Sequence, residues 1–138
     1  VETIAAHTNS SCKSTLFLSS VESVVIENTE FEANSVSSSD SPFAVVLFCR
    51  DCGNIFLKKL VLRYHQTSIQ DCDTSIPLIS ITGGPNPENK MTEIDILECN
   101  IKKNRILASS GTSSAIIQLS DPKVTSTNIV GCVFENNS

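Results

Sequence analysis

The chain of 138 residues has no tryptophan, one tyrosine and only five glycines. No segment combines a sustained helical period with helix caps, so we expect little helix. No apolar run is long enough to cross a membrane as a helix. The formal charge of −5 argues against nucleic acid as a partner, because that affinity depends on cations that neutralise phosphates.

The usual motifs of enzyme chemistry are also missing. The sequence contains no nucleophile–base motif, no glycine-rich phosphate loop and no HExxH helix, so we predict no catalytic, cofactor-binding or metal-binding residues. Cys49-Arg-Asp-Cys52 has the form of half a zinc site, but a second half with suitable spacing is absent. Asp71 and Asp73 have the chemistry of calcium ligands or of an acid–base pair, although two carboxylates in a polar loop are far more often solvated.

What the sequence does contain is a repeat. An eleven-residue pattern occurs four times without gaps, at Val24–Asn34, Ile55–His65, Ile94–Asn104 and Thr127–Asn137. The copies start 31, 39 and 33 residues apart. Self-similarity at such a period is typical of solenoids and arrays.

Each copy has the apolar spacing of two that is typical of strands, because successive strand side chains point to opposite faces. We therefore predict a short strand, a bend near the fifth position, a second strand and a turn. The last column holds Asn34, His65, Asn104 and Asn137. Asparagine suits a turn because it tolerates left-handed backbone, and stacked copies would form an Asn ladder of Asn34, Asn104 and Asn137, with His65 in the same role.

A further strand is predicted between copies, at Phe43–Phe48, Ile76–Ile81 and Ala115–Leu119, with Leu16–Leu18 one rung earlier. The Ser- and Asp-rich stretches before them are typical of turns. Three strands per turn predict an all-β fold, a parallel β-helix (solenoid) of about four rungs over residues 16–138. Residues 1–15 are expected to be irregular. Since the chain begins with Val and stops in mid-repeat, we expect a processed chain or a fragment of a longer coil, with open edges at both ends.

Several apolar residues fall where the strand alternation points outward. We predict a contact face for the rest of a longer protein or for a partner. The alternative is that a loop, Gly83–Lys90, covers them. The residues of this face are Val25, Phe56, Val61, Leu97, Val130 and Val133. A neighbouring outward column carries charges in the order −, +, +, −, and its end pairs are expected to attract: Glu32, Arg63, Lys102 and Glu135.

The six cysteines favour an extracellular or secretory-pathway location. Cys99 and Cys132 share an inward column and are expected to be buried, stacked thiols that behave as small apolar groups. The alternative, a bond between them, would need adjustment from strand spacing to disulfide geometry. The better disulfide candidates are Cys12, Cys49, Cys52 and Cys72. Asn9 and Asn136 begin N-glycosylation sequons.

The repeats resemble a known class of protein. Ile94–Asn104 and Ile129–Asn137 resemble right-handed parallel β-helix repeats of the pectin-lyase-like type. More narrowly, they resemble the degenerate repeats of chlamydial polymorphic membrane proteins and of adhesin-like proteins of ciliates and other protists. Gly111-Thr-Ser-Ser-Ala-Ile116 is similar to the Gly-Gly-Ala-Ile element of that class. The resemblance covers residues 16–138 and implies a right-handed coil.

This fold hosts enzymes and inert spacers alike, so the resemblance leaves the activity open. The sequence favours a non-enzymatic structural or adhesive segment of an extracellular or surface-assembled protein. Its expected partners are other parts of the same longer chain, neighbouring proteins in a surface assembly, or glycans. The alternative is a fragment of a polysaccharide lyase or glycoside hydrolase, or a carbohydrate-binding β-helix. The resemblance implies that a lyase would carry acidic calcium ligands and a basic catalytic residue on one outer sheet, and no such set can be matched here.

Overall fold

The computed structural model describes residues 2–4, 7–8, 16–36, 44–67, 76–83, 92–106, 115–120 and 124–138. These residues form seventeen strands and no helix. The strands are β1 (Glu2–Ile4), β2 (His7–Thr8), β3 (Leu16–Ser19), β4 (Ser23–Glu27), β5 (Thr29–Glu32), β6 (Ser35–Val36), β7 (Leu47–Arg50), β8 (Asn54–Lys58), β9 (Val61–Arg63), β10 (Gln66–Thr67), β11 (Ile79–Thr82), β12 (Thr92–Leu97), β13 (Asn100–Lys102), β14 (Arg105–Ile106), β15 (Ile117–Ser120), β16 (Val124–Val130) and β17 (Val133–Glu135).

The strands pair in four parallel sheets. Sheet A has the order β1-β5-β9-β13-β17, sheet B β2-β6-β10-β14, sheet C β3-β7-β11-β15 and sheet D β4-β8-β12-β16. The chain visits sheets A, B, C and D in turn, and each visit adds a strand beside the one from the previous turn. The fold is therefore a parallel β-helix of four rungs, with β17 as a fifth strand of sheet A. This confirms the predicted fold class.

The register of sheets A and D reproduces the gapless alignment of the repeats. In sheet D, Ile55 lies between Val24 and Ile94, and Thr127 follows Ile94. In sheet A, the inward row is Phe31, Leu62, Ile101 and Phe134. The columns read from the sequence are thus the interior rows of the coil.

The two bends of each repeat are single residues with left-handed backbone. At the fifth position these are Asn28, Lys59, Glu98 and Gly131, with φ between 51° and 66°. At the tenth position they are Ala33, Tyr64, Lys103 and Asn136. The left-handed residue therefore precedes the Asn column, and the explanation of that column by left-handed backbone is wrong. No residue of the column has a positive φ, and the side chains of Asn34, His65 and Asn104 are buried.

Three other expectations are corrected. Each turn has four strands rather than three, because the two-residue strands of sheet B occupy places that were expected to be loops. The sheet C strands begin later than expected, since Ala44–Val46 and Ile76–Leu78 are buried but lie outside the strands. Residues 1–15 are not irregular throughout, because β1 pairs with β5 and β2 pairs with β6.

The core fills the coil between the four sheets. In the two central rungs Leu57, Leu62, Ile94, Ile96 and Ile101 are fully buried. Burying each such side chain stabilises the fold by about 1.5–3 kcal/mol. The core therefore provides most of the stability, and the polar side chains discussed below determine the register between rungs.

The rungs pack so closely at one corner that only glycine fits. The amide of Gly53 donates to the carbonyl of Val21 at 2.8 Å. A Cβ at Gly53 would lie 2.1 Å from the carbonyl oxygen of Glu22, on the preceding rung. This contact is with backbone and cannot be relieved by a side-chain rotation, so Gly53 is required by packing rather than by its own φ.

Candidate functional site

A polar column lies inside the coil where sheet A turns into sheet B. It consists of Asn34, His65, Asn104 and Asn137. The amide of Asn34 donates to His65 Nδ1 at 3.1 Å, that of His65 to Asn104 Oδ1 at 3.0 Å, and that of Asn104 to Asn137 Oδ1 at 3.1 Å. Asn104 Nδ2 also donates to Asn137 Oδ1 at 2.9 Å. The side chains of His65, Asn104 and Asn137 thus each accept a backbone hydrogen bond from the rung before.

The same side chains also bond to strand carbonyls of the preceding rung. Asn104 Nδ2 donates to the carbonyl of Leu62 at 3.1 Å, and Asn137 Nδ2 to that of Ile101 at 2.8 Å. A buried carbonyl or amide without a partner costs about 1–3 kcal/mol. The column therefore satisfies backbone groups that the turn into sheet B would otherwise leave unpaired.

His65 takes the place of an asparagine through its two ring nitrogens. Because Nδ1 accepts from the Asn34 amide, the proton belongs on Nε2, which lies 3.0 Å from the carbonyl oxygen of Phe31 and donates to it. Burial lowers the pKa of His65 from 6.5 to about 4, against the raising effect of the bonds to Phe31 and Asn34. The ring is therefore neutral at neutral pH.

Several residues that directly follow a left-handed corner form a second set of interior hydrogen-bond donors. Cys99 Sγ donates to the carbonyls of Leu97 at 3.3 Å and Leu57 at 3.8 Å. Cys132 Sγ donates in the same way to Val130 and to Ile96, one rung earlier. These thiols are hydrogen-bond donors at the corners, rather than the purely apolar groups expected from the sequence.

Two other corners use the same device. Thr29 Oγ1 donates to the carbonyl of Glu27 at 2.9 Å, and Cys52 Sγ lies 3.6 Å from that of Arg50 and 3.7 Å from that of Leu18. Burial raises the pKa of Cys99 to about 11, which keeps its proton in place for this role.

The four described cysteines, Cys49, Cys52, Cys99 and Cys132, are free thiols. Cys49 and Cys52 therefore form no disulfide here, although both were disulfide candidates. The Cys49 thiol donates to Cys52, and this bond together with burial raises the pKa of Cys49. Cys12 and Cys72, the other two candidates, lie outside the described residues.

The predicted contact face is divided between two sheets. In sheet D, Val25 pairs with Phe56 in one row and Leu97 pairs with Val130 in the next row, and Asp95 follows Phe56 along the first row. In sheet A, Asn100 lies between Val61 and Val133. Three members are well exposed, Val25 at 62%, Val130 at 60% and Val133 at 51%, and Phe56, Val61 and Leu97 are half-buried. Most of Gly83–Lys90, the loop considered as a cover, lies outside the described residues.

Ion pairs occupy the outer surface beside this face. Arg63 pairs with Glu30 and with Glu32, the latter at 3.3 Å. The attraction expected between Glu32 and Arg63 is present, and Glu30 joins it from two residues earlier. At the opposite end of that column Glu135 instead accepts from Asn136 Nδ2 at 3.3 Å, and no ion pair with Lys102 forms among the described residues.

The remaining sequence candidates are more scattered. Asn136 is exposed at a left-handed corner, whereas Asn9, Asp71 and Asp73 lie outside the described residues.

In the described part of the chain, no three His, Cys, Asp or Glu side chains converge to hold a metal ion. No helix in that part is long and apolar enough to cross a membrane.

Sequence reasoning missed a basic corner between sheets A and B. Lys102, Lys103 and Arg105 all lie on one rung, and Lys103 Nζ sits 5.6 Å from the ring centre of Tyr64 on the rung before. Arg63 lies 5.7 Å from the same ring and pairs with Lys102 in the register of sheet A. The signal was present in the sequence as Lys-Lys-Asn-Arg, but only the turn between the sheets places Tyr64 beside it.

No protein-family model, no curated protein and no solved structure matches this chain.

Proposed function

We propose that this chain is a non-enzymatic structural or adhesive segment of an extracellular or surface-assembled protein, built as a coil of the pectin-lyase-like class. The observation that carries the proposal is the direction of its reactive side chains. His65, Cys52, Cys99 and Cys132 point into the coil, where each bonds to backbone groups of neighbouring rungs. The groups best suited to act as a base or a nucleophile therefore hold the scaffold together.

The outward-facing side chains support the same proposal. Exposed valines at Val25, Val130 and Val133 offer apolar contacts to a neighbour, and the six cysteines and two sequons of the sequence favour a secretory-pathway location. A rigid coil with an apolar outer surface serves as a spacer or as a contact module. Its partners are then neighbouring parts of a surface assembly.

An activity assay tests this proposal against an enzymatic function. The purified chain is incubated with acidic and with neutral polysaccharides, each with and without calcium, and reducing ends and unsaturated products are measured. We expect no turnover. Turnover that disappears in Asp71→Asn or Asp73→Asn and survives in the matched Asp95→Asn variant would contradict the structural function.

The contact face has its own test. In the intact native assembly Phe56 and Leu97 should be shielded from a small solvent probe such as a photogenerated carbene, which labels side chains wherever they are accessible. Labelling should rise when the chain is released from the assembly. Equal labelling in both states would exclude these residues from a contact face.

The basic corner favours a second candidate function, the binding of acidic polysaccharide. Lys102, Lys103 and Arg105 form no ion pair with a described carboxylate, whereas Lys58 and Lys59 are both paired with Glu98, at 4.0 and 3.9 Å. Unpaired cations next to an exposed tyrosine suit a polymer that carries carboxylates or sulfates.

Polygalacturonate is a suitable probe, with titration calorimetry at low and at physiological salt as the measurement. Binding should weaken in the Lys102→Gln, Lys103→Gln, Arg105→Gln triple variant and should weaken with salt. The Lys58→Gln, Lys59→Gln variant is the matched control, since it also removes cations but at a corner that Glu98 neutralises. Equal losses of affinity in both variants would mean that binding depends on net charge and not on the basic corner.

A further inference from the structure

Two thiols lie in contact at the corner where sheet C turns into sheet D. Cys49 is the third residue of β7, and Cys52 lies two residues before β8. Both belong to the buried core, and the Cys49 thiol donates a hydrogen bond to the Cys52 sulfur. They are the two ends of Cys49-Arg-Asp-Cys52, a motif for which the structural function has no use.

The packing of the core does not require sulfur at these two places. Leu18 lies beside Cys49 in the same inward row of sheet C. Val21 is the first-rung equivalent of Cys52, because each directly follows a left-handed residue at this corner. Both equivalents pack against the core with purely apolar side chains. The second rung therefore carries two thiols where apolar side chains serve on the first, and what the thiols add is chemistry.

Backbone hydrogen bonds hold this corner on both sides. Asp51 makes the reversal in the left-handed conformation, with a φ of 54°, and its amide donates to the carbonyl of Thr82 on the next rung at 2.9 Å. The amide of Gly53 donates to the carbonyl of Val21 on the rung before, at 2.8 Å. The fixed backbone keeps the two sulfurs together, so a bond between them can form without a search through other conformations.

The two thiols differ in ways that suit them to different roles. The hydrogen bond from Cys49 lowers the pKa of Cys52, and hydrogen bonds with the backbone of Val21 and Arg50 lower it further, although burial opposes them. The same bond and burial raise the pKa of Cys49. Cys52 is also the more accessible sulfur, since it is 5% exposed and Cys49 is 0% exposed. Because the thiolate is the nucleophile, Cys52 is suited to attack and Cys49 to follow as the resolving thiol.

We propose that Cys49 and Cys52 are a redox-active dithiol, and that small-molecule disulfides such as glutathione disulfide convert it into a disulfide within this corner. In the first step the Cys52 thiolate attacks one sulfur of the small disulfide, which forms a mixed disulfide and releases one small thiolate. In the second step Cys49 loses its proton and attacks the Cys52 sulfur, which releases the other small thiolate. The departing thiolates take up the two protons that the cysteines lose, and two electrons pass from the dithiol to the small disulfide.

Cys99 provides a matched comparison within the same chain. It also directly follows a left-handed residue, and it is 2% exposed. Its sulfur donates to a carbonyl of its own rung and to one of the rung before, as the sulfur of Cys52 does. The pKa of Cys99 is raised, above all by burial, whereas that of Cys52 is lowered. Two corner thiols of similar burial should therefore react at different rates.

Peptide mapping after oxidation tests the proposal, because trypsin separates the two cysteines. It cleaves after Arg50, so Cys49 falls in the peptide of residues 14–50 and Cys52 in that of residues 51–58. The reduced full chain is incubated with glutathione disulfide under native conditions, its remaining thiols are alkylated, and the digest is analysed by mass spectrometry without reduction. The two peptides should be joined, and dithiothreitol should separate them. Both cysteines alkylated despite excess glutathione disulfide, or Cys52 joined to any other peptide, would overturn the proposal.

The order of the two steps has its own measurement. In the wild type, free Cys52 should disappear at least about tenfold faster than free Cys99. Cys49→Ala removes the resolving thiol, so a mixed disulfide with glutathione should persist on Cys52. Cys99→Ala is the matched control and should leave the joining of the two peptides unchanged.

Equal rates for Cys52 and Cys99, or a mixed disulfide that forms on Cys49 in place of Cys52, would also overturn the proposal. The wild-type rates decide the matter even where a variant fails to fold. Neither readout involves a polysaccharide. This exchange goes beyond the structural function and does not depend on it, so the two can fail separately.

Discussion

Replacing His65 by asparagine should remove a pH-dependent component of stability without breaking the interior ladder. Asparagine occupies the equivalent position on the other three described rungs, and Asn104 and Asn137 each accept one backbone amide and donate to one strand carbonyl. His65 makes the same two bonds, but only in its neutral form with the proton on Nε2. A protonated ring would direct an N–H at the amide of Asn34.

The magnitude follows from the lowered pKa. Burial lowers the pKa of His65 from 6.5 to about 4, so the native state binds its proton less readily than the unfolded chain does. This contribution to stability is complete above the unfolded pKa and is lost as the pH falls towards the native one. Between about pH 7.5 and about pH 5, the free energy of unfolding should fall by about 2 kcal/mol because of this residue alone.

Urea unfolding of the wild type and of His65→Asn at the two pH values measures this difference. The carboxylates titrate in both proteins, so their effects cancel in the comparison. On acidification, the free energy of unfolding should fall by about 2 kcal/mol more in the wild type than in the variant.

Parallel loss of stability in the wild type and in His65→Asn would refute this reasoning. That result would mean that His65 titrates alike in the native and unfolded states, and hence that the buried bonds to Asn34 and Phe31 do not form in solution. If His65→Asn instead lowers the free energy of unfolding at neutral pH by more than about 2 kcal/mol relative to the wild type, the two side chains are not equivalent in this position.

Two further predictions concern single residues that hold the rungs in register. Gly53→Ala should lower the free energy of unfolding, measured in urea, by about 3 kcal/mol, because its Cβ would overlap the Glu22 carbonyl. Gly131→Asn should lower it by under about 1 kcal/mol, since non-glycine residues occupy the equivalent corners. Equal losses would contradict the packing argument. Asn104→Ala should lower the free energy of unfolding by about 3 kcal/mol, because it leaves two buried backbone groups unpaired. Asn137 is half-buried, so Asn137→Ala should lower it by about 1 kcal/mol. A smaller loss of stability at Asn104 than at Asn137 would count against the ladder.

The repeat could be predicted from the sequence because apolar residues two apart mark strands and because the copies align without gaps. The alignment of the copies therefore placed Ile55 beside Ile94, as the register of sheet D does. Sheet B could not be found in this way. Its strands, such as Gln66–Thr67, have two residues each, which is too short for any period to be visible.

The corners were harder to predict for a different reason. A left-handed residue is normally signalled by glycine or asparagine, but Lys59, Tyr64 and Glu98 carry no such signal. Stacking on the neighbouring rungs imposes this conformation against local preference. The spacing between the contact-face residues was also not visible in the sequence, because the interleaving of Asp95 and Asn100 appears only when the rungs are placed side by side.

Strand positions and corner positions inside the coil have different requirements. The strand rows are filled by apolar side chains of different shape, as Val24, Ile55 and Ile94 show in one row. Corner and column positions need a donor or an acceptor aimed at a neighbouring rung, and threonine, cysteine, asparagine and histidine all meet that need. Because these bonds join a rung to its neighbours, they fix the register of the coil, whereas the apolar rows between them supply its stability.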